Sequence, residues 1–443
     1  MPSIHFSSFY PVLNELKIIK LFFSVFYVTK CQNAKIEICV SNLLNNMKAV
    51  ILAAGEGTRL RPFTENMPKV MVPVANKPIL LHVINALSGN NIRDIVIVVG
   101  YKKESIMDYF GNGKEFGVNI TYVTQEKQIG TGHALLQAKD EIEEEFISLP
   151  GDNIIDEEGI SSLIKNECEI SMLVEKSHHP SKYGVVKVED GKIKGIVEKP
   201  EKAETNLVST GIFKFPPDIF DFIDRNVKEG KNHITDSLHS MIENGEEVCA
   251  VMGNGGWMDI IYPWNWLDVN SKSLRNIAPI TSGKIEKNVI LKGDVSIGED
   301  TVIHSGCYIV GPVVIGSGCE VGPNVCIFPS TSIGDNVAIY PFTEIRSSII
   351  MDDATIGSNS FVSKSIIGKG TKISSHFSNI AGNGIIEMEE NFYRINDVGA
   401  FIGDGCEIGD NVVVEPGKII GRNCVIGPLN IINKNIPGES EVI

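Results

Sequence analysis

Ile285, Leu291, Ile297, Ile303, Ile309, Ile315, Val321, Ile327, Ile333, Ile339 and Ile345 follow one another at intervals of six residues. A helix repeats every 3.6 residues, and a lone strand merely alternates, so neither accounts for this spacing by itself. Four positions after most of these aliphatics stands a small or β-branched residue, among them Val289, Thr301, Cys307, Val313, Cys319 and Val325. The period returns at Ile402, Ile408, Val414, Ile420, Ile426 and Ile432. A six-residue period over this length is the pattern of a parallel β-helix, in which each unit forms one short face and stacked coils bury a common apolar core. Glycines directly after the aliphatic position, such as Gly298, Gly316, Gly334, Gly403 and Gly421, are expected to permit the corners between faces. A stretch at about 374–398 lacks the repeat and is read as a loop over a site or a bulge.

The repeat covers only residues 283–443. With 443 residues the chain is long enough for a second domain with a core of its own. Residues 47–270 form that domain, and 271–282 are a linker. Here apolar residues recur at helical spacing in Ile79, Leu80, Val83, Ile84 and Leu87, and buried-strand runs occupy 94–100 and 146–152. Such alternation predicts an α/β Rossmann-like domain with a mostly parallel sheet and ligands at the carboxyl ends of its strands. A chain ended near 280 is expected to keep the activity of this domain.

The segment MKAVILAAGEGTRLRPFTENMPKVMVPV, from Met47, places the ligand. An apolar strand runs into a loop whose Gly55 and Gly57 let backbone N–H groups approach phosphate oxygens. Arg59 adds a planar fork of donors, and Lys69, after Pro68, a mobile point charge. Two cations over one triphosphate point to nucleotidyl transfer. A dinucleotide fingerprint would need glycine where Leu60 stands, and a P-loop would need Gly-Lys-Ser/Thr, which is absent. Asp152 ends the strand at 146–152, as a turn residue or as a magnesium ligand. Asp259, in GNGGWMDI, is a second candidate.

LAAGEGTRLRPFT followed by PKVMVPV resembles the signature of the sugar-1-phosphate nucleotidylyltransferases. The resemblance implies catalytic roles for Arg59 and Lys69, and nucleotide contacts from Leu52, Ala53, Ala54, Gly55, Gly57 and Thr58. Asp152 and Asp259 match the positions that share Mg²⁺ in that family. Gln125 with Gly130 and Thr131 is similar to the uridylyl-transferring branch, leaving UTP and dTTP both open. Gly184, Glu198, Lys199 and Thr210 match the sugar side, although the family's Asn-Thr-Gly is Ser209-Thr210-Gly211 here. In the implied reaction a sugar-1-phosphate oxygen attacks the α-phosphorus of the NTP and pyrophosphate leaves. The phosphate monoester is already ionised near neutral pH, so no general base is needed.

The repeat domain resembles left-handed β-helix acyltransferases, which commonly trimerise, and the two together resemble the bifunctional uridylyltransferase/glucosamine-1-phosphate acetyltransferase group. Acetylating relatives carry a His-x-x-Tyr-x-Gly-Asp-Ser-type segment. Here Ser358, Phe361 and Lys364 occupy the positions of its base, phenol and acid, with His376 and His304 as possible substitutes. The domain is therefore read chiefly as a scaffold for a homotrimer and for regulation, with acetyl-CoA-dependent acetylation as the alternative. A third reading is a regulatory subunit that only senses nucleotide or sugar; the joint presence of Arg59, Lys69, Asp152 and Asp259 argues against it.

A net charge of −15 excludes a basic footprint for nucleic acid. Nine cysteines in no C-x-x-C pair give neither a metal motif nor an even disulfide framework. Cys307, Cys319, Cys406 and Cys424 fill the small slot of the repeat and read as buried hydrophobes, and a reducing cytoplasm is the expected compartment. Residues 1–46 precede the phosphate-binding strand. Their apolar run Ile18 to Val28 contains Lys20 and is too short to span a bilayer, so they are read as a mis-assigned start ahead of Met47 or a disordered extension, with a weak membrane or targeting segment as the alternative. No membrane partner is expected.

Overall fold

The structure, a computed structural model, describes residues 47–389 and 391–443. The expectations for residues 1–46 lie outside them.

The amino-terminal domain is built on nine strands: β1 (Lys48–Ala53), β2 (Asp94–Val99), β3 (Asn119–Thr124), β4 (Phe146–Pro150), β5 (Ile170–Lys176), β6 (Gly184–Glu189), β7 (Lys192–Glu198), β8 (Leu207–Phe215) and β9 (Val248–Met252). They lie in the order β3-β2-β1-β4-β8-β5-β9-β7-β6. The half from β3 to β4 is parallel, as expected. The other half is mixed, because β8 runs antiparallel to both β4 and β5, and β6–β7 is a hairpin. That hairpin turns at Asp190 and Gly191, both at positive φ, the conformation a two-residue reversal requires.

Among the described residues seven helices pack around the sheet: α1 (Ile79–Gly89), α2 (Lys103–Phe110), α3 (Thr131–Leu136), α4 (Glu157–Ile164), α5 (Ile219–Lys228), α6 (Ile234–Glu243) and α7 (Pro263–Leu274). One face of the sheet is covered by a cluster around Leu80, Ile84, Leu87 and Leu163, the other by one around Leu135, Phe220, Ile223 and Leu238. Asp156 caps α4 by accepting from the Gly159 amide at 2.8 Å. Helix α7 continues four residues beyond the expected domain edge at 270.

The repeat folds into three stacked parallel sheets, consistent with a left-handed β-helix. One runs from Lys284–Ile285 to Glu441–Val442, a second from Ile290–Lys292 to Ile431–Ile432, and a third from Val295–Ile297 to Ile419–Ile420. The aliphatic positions form one continuous core with Cys307, Cys319, Cys406 and Cys424 fully buried in it. Of the glycines after the aliphatics, Gly322 is at positive φ (+106°) as a corner requires, and most of the others serve a different purpose. Gly298, Gly316 and Gly334 are not at positive φ; a Cβ on Gly298 would come within 2.6 Å of the Gly316 backbone one coil above. Close stacking requires them, while left-handed corner positions fall to residues such as Asp300, Asn324, Asn336, Asn411 and Asn423.

The stack continues through the region where the sequence loses its period. Ile339 pairs with Ile356 and Ile356 with Ile373, in coils one residue short. Ile373 then pairs with Ile408, and the extra residues between them form an antiparallel hairpin, Gly382–Met388 with Asn391–Val398.

The two domains share a core. Leu60, Phe63, Val72, Val74, Ile79 and Trp266 cluster with Ile349, Met351, Ile366, Ile386, Val398 and Phe401. Fully buried Asn270 on α7 accepts from the Ala75 amide at 2.8 Å and from Ser332 Oγ of the β-helix at 2.9 Å. Residues 47–443 form one compact unit, so the expectation of a separable catalytic domain meets a buried apolar interface.

Among the remaining cysteines, Cys168 and Cys249 form a disulfide. Neither motif nor count predicted it, because the pair is made by adjacency of β9 to the start of β5 and not by local spacing. No helix among the described residues is long and apolar enough to cross a membrane.

Candidate active site

A cavity of about 640 Å³ opens at the carboxyl ends of β1 and β4. Its floor is set by the Gly151 amide donating to the Leu52 carbonyl at 2.9 Å, which joins the phosphate loop to the segment carrying Asp152. The loop passes from β1 through Gly55 and Gly57 into a short 3₁₀ turn, Thr58–Leu60. Gly57 has φ +71°, and a Cβ there would lie 2.6 Å from Lys69 Cβ. Both observations demand glycine at this point: the backbone is left-handed and the lysine passes directly over it.

Lys69 enters from a second 3₁₀ turn after Pro68. Its ammonium lies 2.7 Å from Asp152 Oδ2 and 3.3 Å from Asp259 Oδ1. Asp259 is brought there by a two-residue antiparallel ladder that pairs it with Asn153 and pairs Met258 with Ile154. Burial alone would lower the pKa of Lys69, but the two carboxylates outweigh it and hold the group above the usual lysine range. Burial, reinforced by Asp152, pushes Asp259 up in spite of Lys69. Two hard carboxylates converging on one cationic centre are a donor set that suits Mg²⁺ beside phosphate.

Every residue that the sequence assigned to the nucleotide, the sugar or the metal lines this one cavity: Leu52, Ala53, Ala54, Gly55, Gly57, Thr58, Arg59, Lys69, Gln125, Gly130, Thr131, Asp152, Gly184, Glu198, Lys199, Thr210 and Asp259. Gln125 is buried, and its Nε2 donates to the Gly130 carbonyl at 3.2 Å and contacts His133 Nδ1 at 2.9 Å, which fixes the orientation of the amide. Glu198 pairs across the β6–β7 ladder with Gly184 and lies 3.4 Å from Lys199. Thr210 lines the wall differently from the others, since its hydroxyl is committed to the Leu173 carbonyl at 2.8 Å.

Sequence reasoning missed Lys182, Trp257 as a wall, and Glu389. Lys182 precedes the Tyr183-Gly184 pair and sits 4.7 Å over the ring of Tyr262. Burial and the nearby Arg59 lower its pKa. Tyr183 packs edge-on against Trp257 at 5.3 Å, and its phenol is pushed up by burial and by Asp259. The Trp257 indole N–H is buried with no hydrogen-bond partner among the described residues. Glu389 comes from the β-helix hairpin; its only sequence signal was the interruption of the repeat at 374–398.

A phosphate loop, two cations, a convergent carboxylate pair and an opposing polar wall at a sheet's carboxyl edge together define a nucleotidyl transferase. Residues 48–275 match the family described as nucleotidyl transferase, and residues 309–391 match the one described as GMPPB C-terminal domain. The chain is 40% identical over 411 residues to the bifunctional protein GlmU of Methanococcus maripaludis strain C7, covering 89% of this chain and 97% of that one. It is 35% identical over 418 residues to a bifunctional sugar-1-phosphate nucleotidylyltransferase/acetyltransferase of Sulfurisphaera tokodaii, covering 88% of this chain and 98% of the relative. The low-salt glycan biosynthesis nucleotidyltransferase Agl11 of Haloferax volcanii is 32% identical over 262 residues, covering 57% of this chain and 73% of the relative. The chain thus belongs to the sugar-1-phosphate nucleotidyltransferases that carry a C-terminal β-helix.

Proposed function

We propose that the cavity binds an NTP, uridylyl-donating UTP ahead of dTTP, along the phosphate loop and a sugar-1-phosphate against the β6–β7 hairpin. The carrying observation is the convergence of Lys69, Asp152 and Asp259 within 3.3 Å at the junction between these two walls. Backbone amides around Gly55 and Gly57, with Arg59, hold the triphosphate. The sugar phosphate, ionised at neutral pH, is presented by Lys199 and Lys182 so that its oxygen meets the α-phosphorus in line. That O–P bond forms as the bond to the leaving pyrophosphate breaks, and Lys69 and Arg59 stabilise the charge that accumulates. Glu198 accepts from sugar hydroxyls. The orientation-locked Gln125 amide, with Gly130 and Thr131, reads the base edge. Mg²⁺, held by Asp152 and Asp259, supplies neutralisation of phosphate charge when bound.

Pyrophosphate release by the full chain with Mg²⁺, a panel of sugar-1-phosphates and each NTP in turn tests this reading. Release with UTP and one sugar supports it. Release with no pair would leave the sensor reading in its place.

For the β-helix we propose a homotrimeric scaffold in a cytoplasmic enzyme, with sedimentation velocity as the test of size. Three features weigh against acetyl transfer. Ser358 stands where the base is needed, within a small open groove formed with Tyr340, Lys372 and Asp410. Lys364, at the acid position, is paired with Asp397 of the hairpin. His304 is engaged by Glu286 and Glu320 at 3.3 and 3.2 Å. The two bifunctional relatives support the opposite reading. Free-thiol release from acetyl-CoA with glucosamine-1-phosphate decides between them.

A further inference from the structure

The hairpin that interrupts the β-helix is anchored along its length to the catalytic domain. Val398 at its base and Ile386 nearer its turn are buried in the core that also holds Leu60 and Phe63, the residues directly behind the phosphate loop. Along its second strand, the Tyr393 hydroxyl shares a 2.9 Å hydrogen bond with that of Tyr262, and the two rings pack at 4.9 Å. Burial and this hydrogen bond push the Tyr262 phenol up to about 12.

The turn then delivers Glu389 to the rim of the cavity, 331 residues from Thr58 in sequence. Its Oε1 accepts from Thr58 Oγ1 at 3.4 Å, and its Oε2 lies 3.6 Å from Arg59 Nε. The side of the guanidinium that this carboxylate approaches matters. The guanidinium binds phosphate in bidentate fashion through a pair of its N–H groups, either the two terminal ones or Nε with one of them. The approach of Glu389 is to Nε. Both side chains are about half exposed, so solvent weakens the repulsion between one carboxylate and a bound triphosphate.

We propose that Glu389 is a positioning residue for nucleotidyl transfer, supplied by the β-helix domain to hold Thr58 and Arg59 of the phosphate loop in their triphosphate-binding arrangement. This rests on the assignment of Arg59 to the triphosphate. The hairpin thereby makes the nucleotide half of the site a product of both domains.

The test uses the full chain, with Glu389→Ala, Glu389→Gln, Arg59→Ala and the Glu389→Ala/Arg59→Ala double variant. Pyrophosphate release is followed with NTP varied at saturating sugar-1-phosphate, and then the reverse. Glu389→Ala should raise KM for NTP about tenfold, less than the ~10²-fold that a 1 Å misplacement can cost, with KM for the sugar phosphate unchanged. Glu389→Gln, which keeps an acceptor for Thr58, should recover part of the loss. In the Arg59→Ala background, removal of Glu389 should cost less than in the native chain, because the part that runs through Arg59 is already lost and only the Thr58 part remains. If Arg59→Ala itself leaves KM for NTP unchanged, the assignment of Arg59 fails. If Arg59→Ala raises it and Glu389→Ala leaves it unchanged, or lowers it as removal of a competing carboxylate would, the positioning role of Glu389 is overturned.

Discussion

Lys69 Nζ lies 2.7 Å from Asp152 Oδ2 across 83 residues of chain, and the same ammonium reaches Asp259 at 3.3 Å. One lysine thus pairs with both carboxylates proposed to hold the metal. Lys69 keeps a partner in Asp259 when Asp152 is changed, so Asp152→Asn should cost stability only about 1–2 kcal/mol, below the 3–5 of a buried pair left with an orphan charge. Turnover should fall much further, by about 10²–10³-fold, the scale of losing one preorganised electrostatic group at a reacting phosphate. Pyrophosphate release alongside thermal unfolding separates the two effects. An unchanged rate would remove Asp152 from the metal site.

The shared core changes what a truncation does. Phe63 meets Trp266 edge-on at 5.4 Å, and the same cluster takes in Ile349, Met351, Ile366 and Phe401. Arg422 of the β-helix also reaches Asn66 at 2.8 Å and Glu65 at 3.3 Å beside the phosphate loop. A chain ended near 280 leaves several large side chains open to water, each worth roughly 1.5–3 kcal/mol when buried. Such a chain should aggregate or melt about 10 °C or more below the full protein. Size-exclusion chromatography and thermal unfolding check this; a well-folded, fully active truncate would refute it.

His82 on α1 contacts the Val74 carbonyl through Nε2 at 3.0 Å. Burial, aided by Lys77, lowers its pKa against the opposing effect of that carbonyl. A group whose folded pKa lies below its unfolded value of 6.5 leaves the unfolded chain binding more protons in between, so stability rises with pH there. Its contribution is fully present above about pH 6.5 and is lost as pH falls through the lowered folded pKa. Melting temperatures at pH 7.5 and pH 5 should differ more for the native chain than for His82→Gln, with the carboxylates contributing equally to both. Equal differences would remove His82 from the acid response.

Much of the candidate site's lining was legible because its residues are placed by local geometry. Gly57 must be glycine for the loop and for Lys69 to pass, and Asp152 sits where a parallel strand ends; both are properties of short segments. The β-helix was legible for the same reason, each unit repeating one local solution. What was not legible depends on distant parts of the chain meeting. The direction of β8 is set by its neighbours β4 and β5 and leaves no mark on its own apolar pattern. The stacking role of Gly298 depends on Gly316 one coil away. Glu389 reaches Arg59 only because two short coils and an insertion place the hairpin over the cavity, and an interrupted period marks the insertion without saying where it points.

Cys168 and Cys249 are a second such meeting. Cys249 lies on β9 beside Ser171 of β5, and Cys168 precedes that strand, so the bond ties the amino ends of two parallel strands, away from the cavity at carboxyl ends. It closes a loop with a sequence separation of 81. Chain-entropy bookkeeping for a loop of that length gives about 4–5 kcal/mol of stabilisation as an upper value. Reductant should therefore lower the melting temperature of the native chain, and Cys168→Ser/Cys249→Ser should melt at that lower temperature with or without reductant. Both forms should release pyrophosphate at the native rate at temperatures well below the transition, because the bond touches nothing that lines the cavity. A thiol titration of the unfolded protein, run before and after reduction, counts the pair directly. A melting temperature indifferent to reductant, with every thiol titratable beforehand, would show that the two cysteines stand side by side unbonded, as the expected cytoplasmic setting favours.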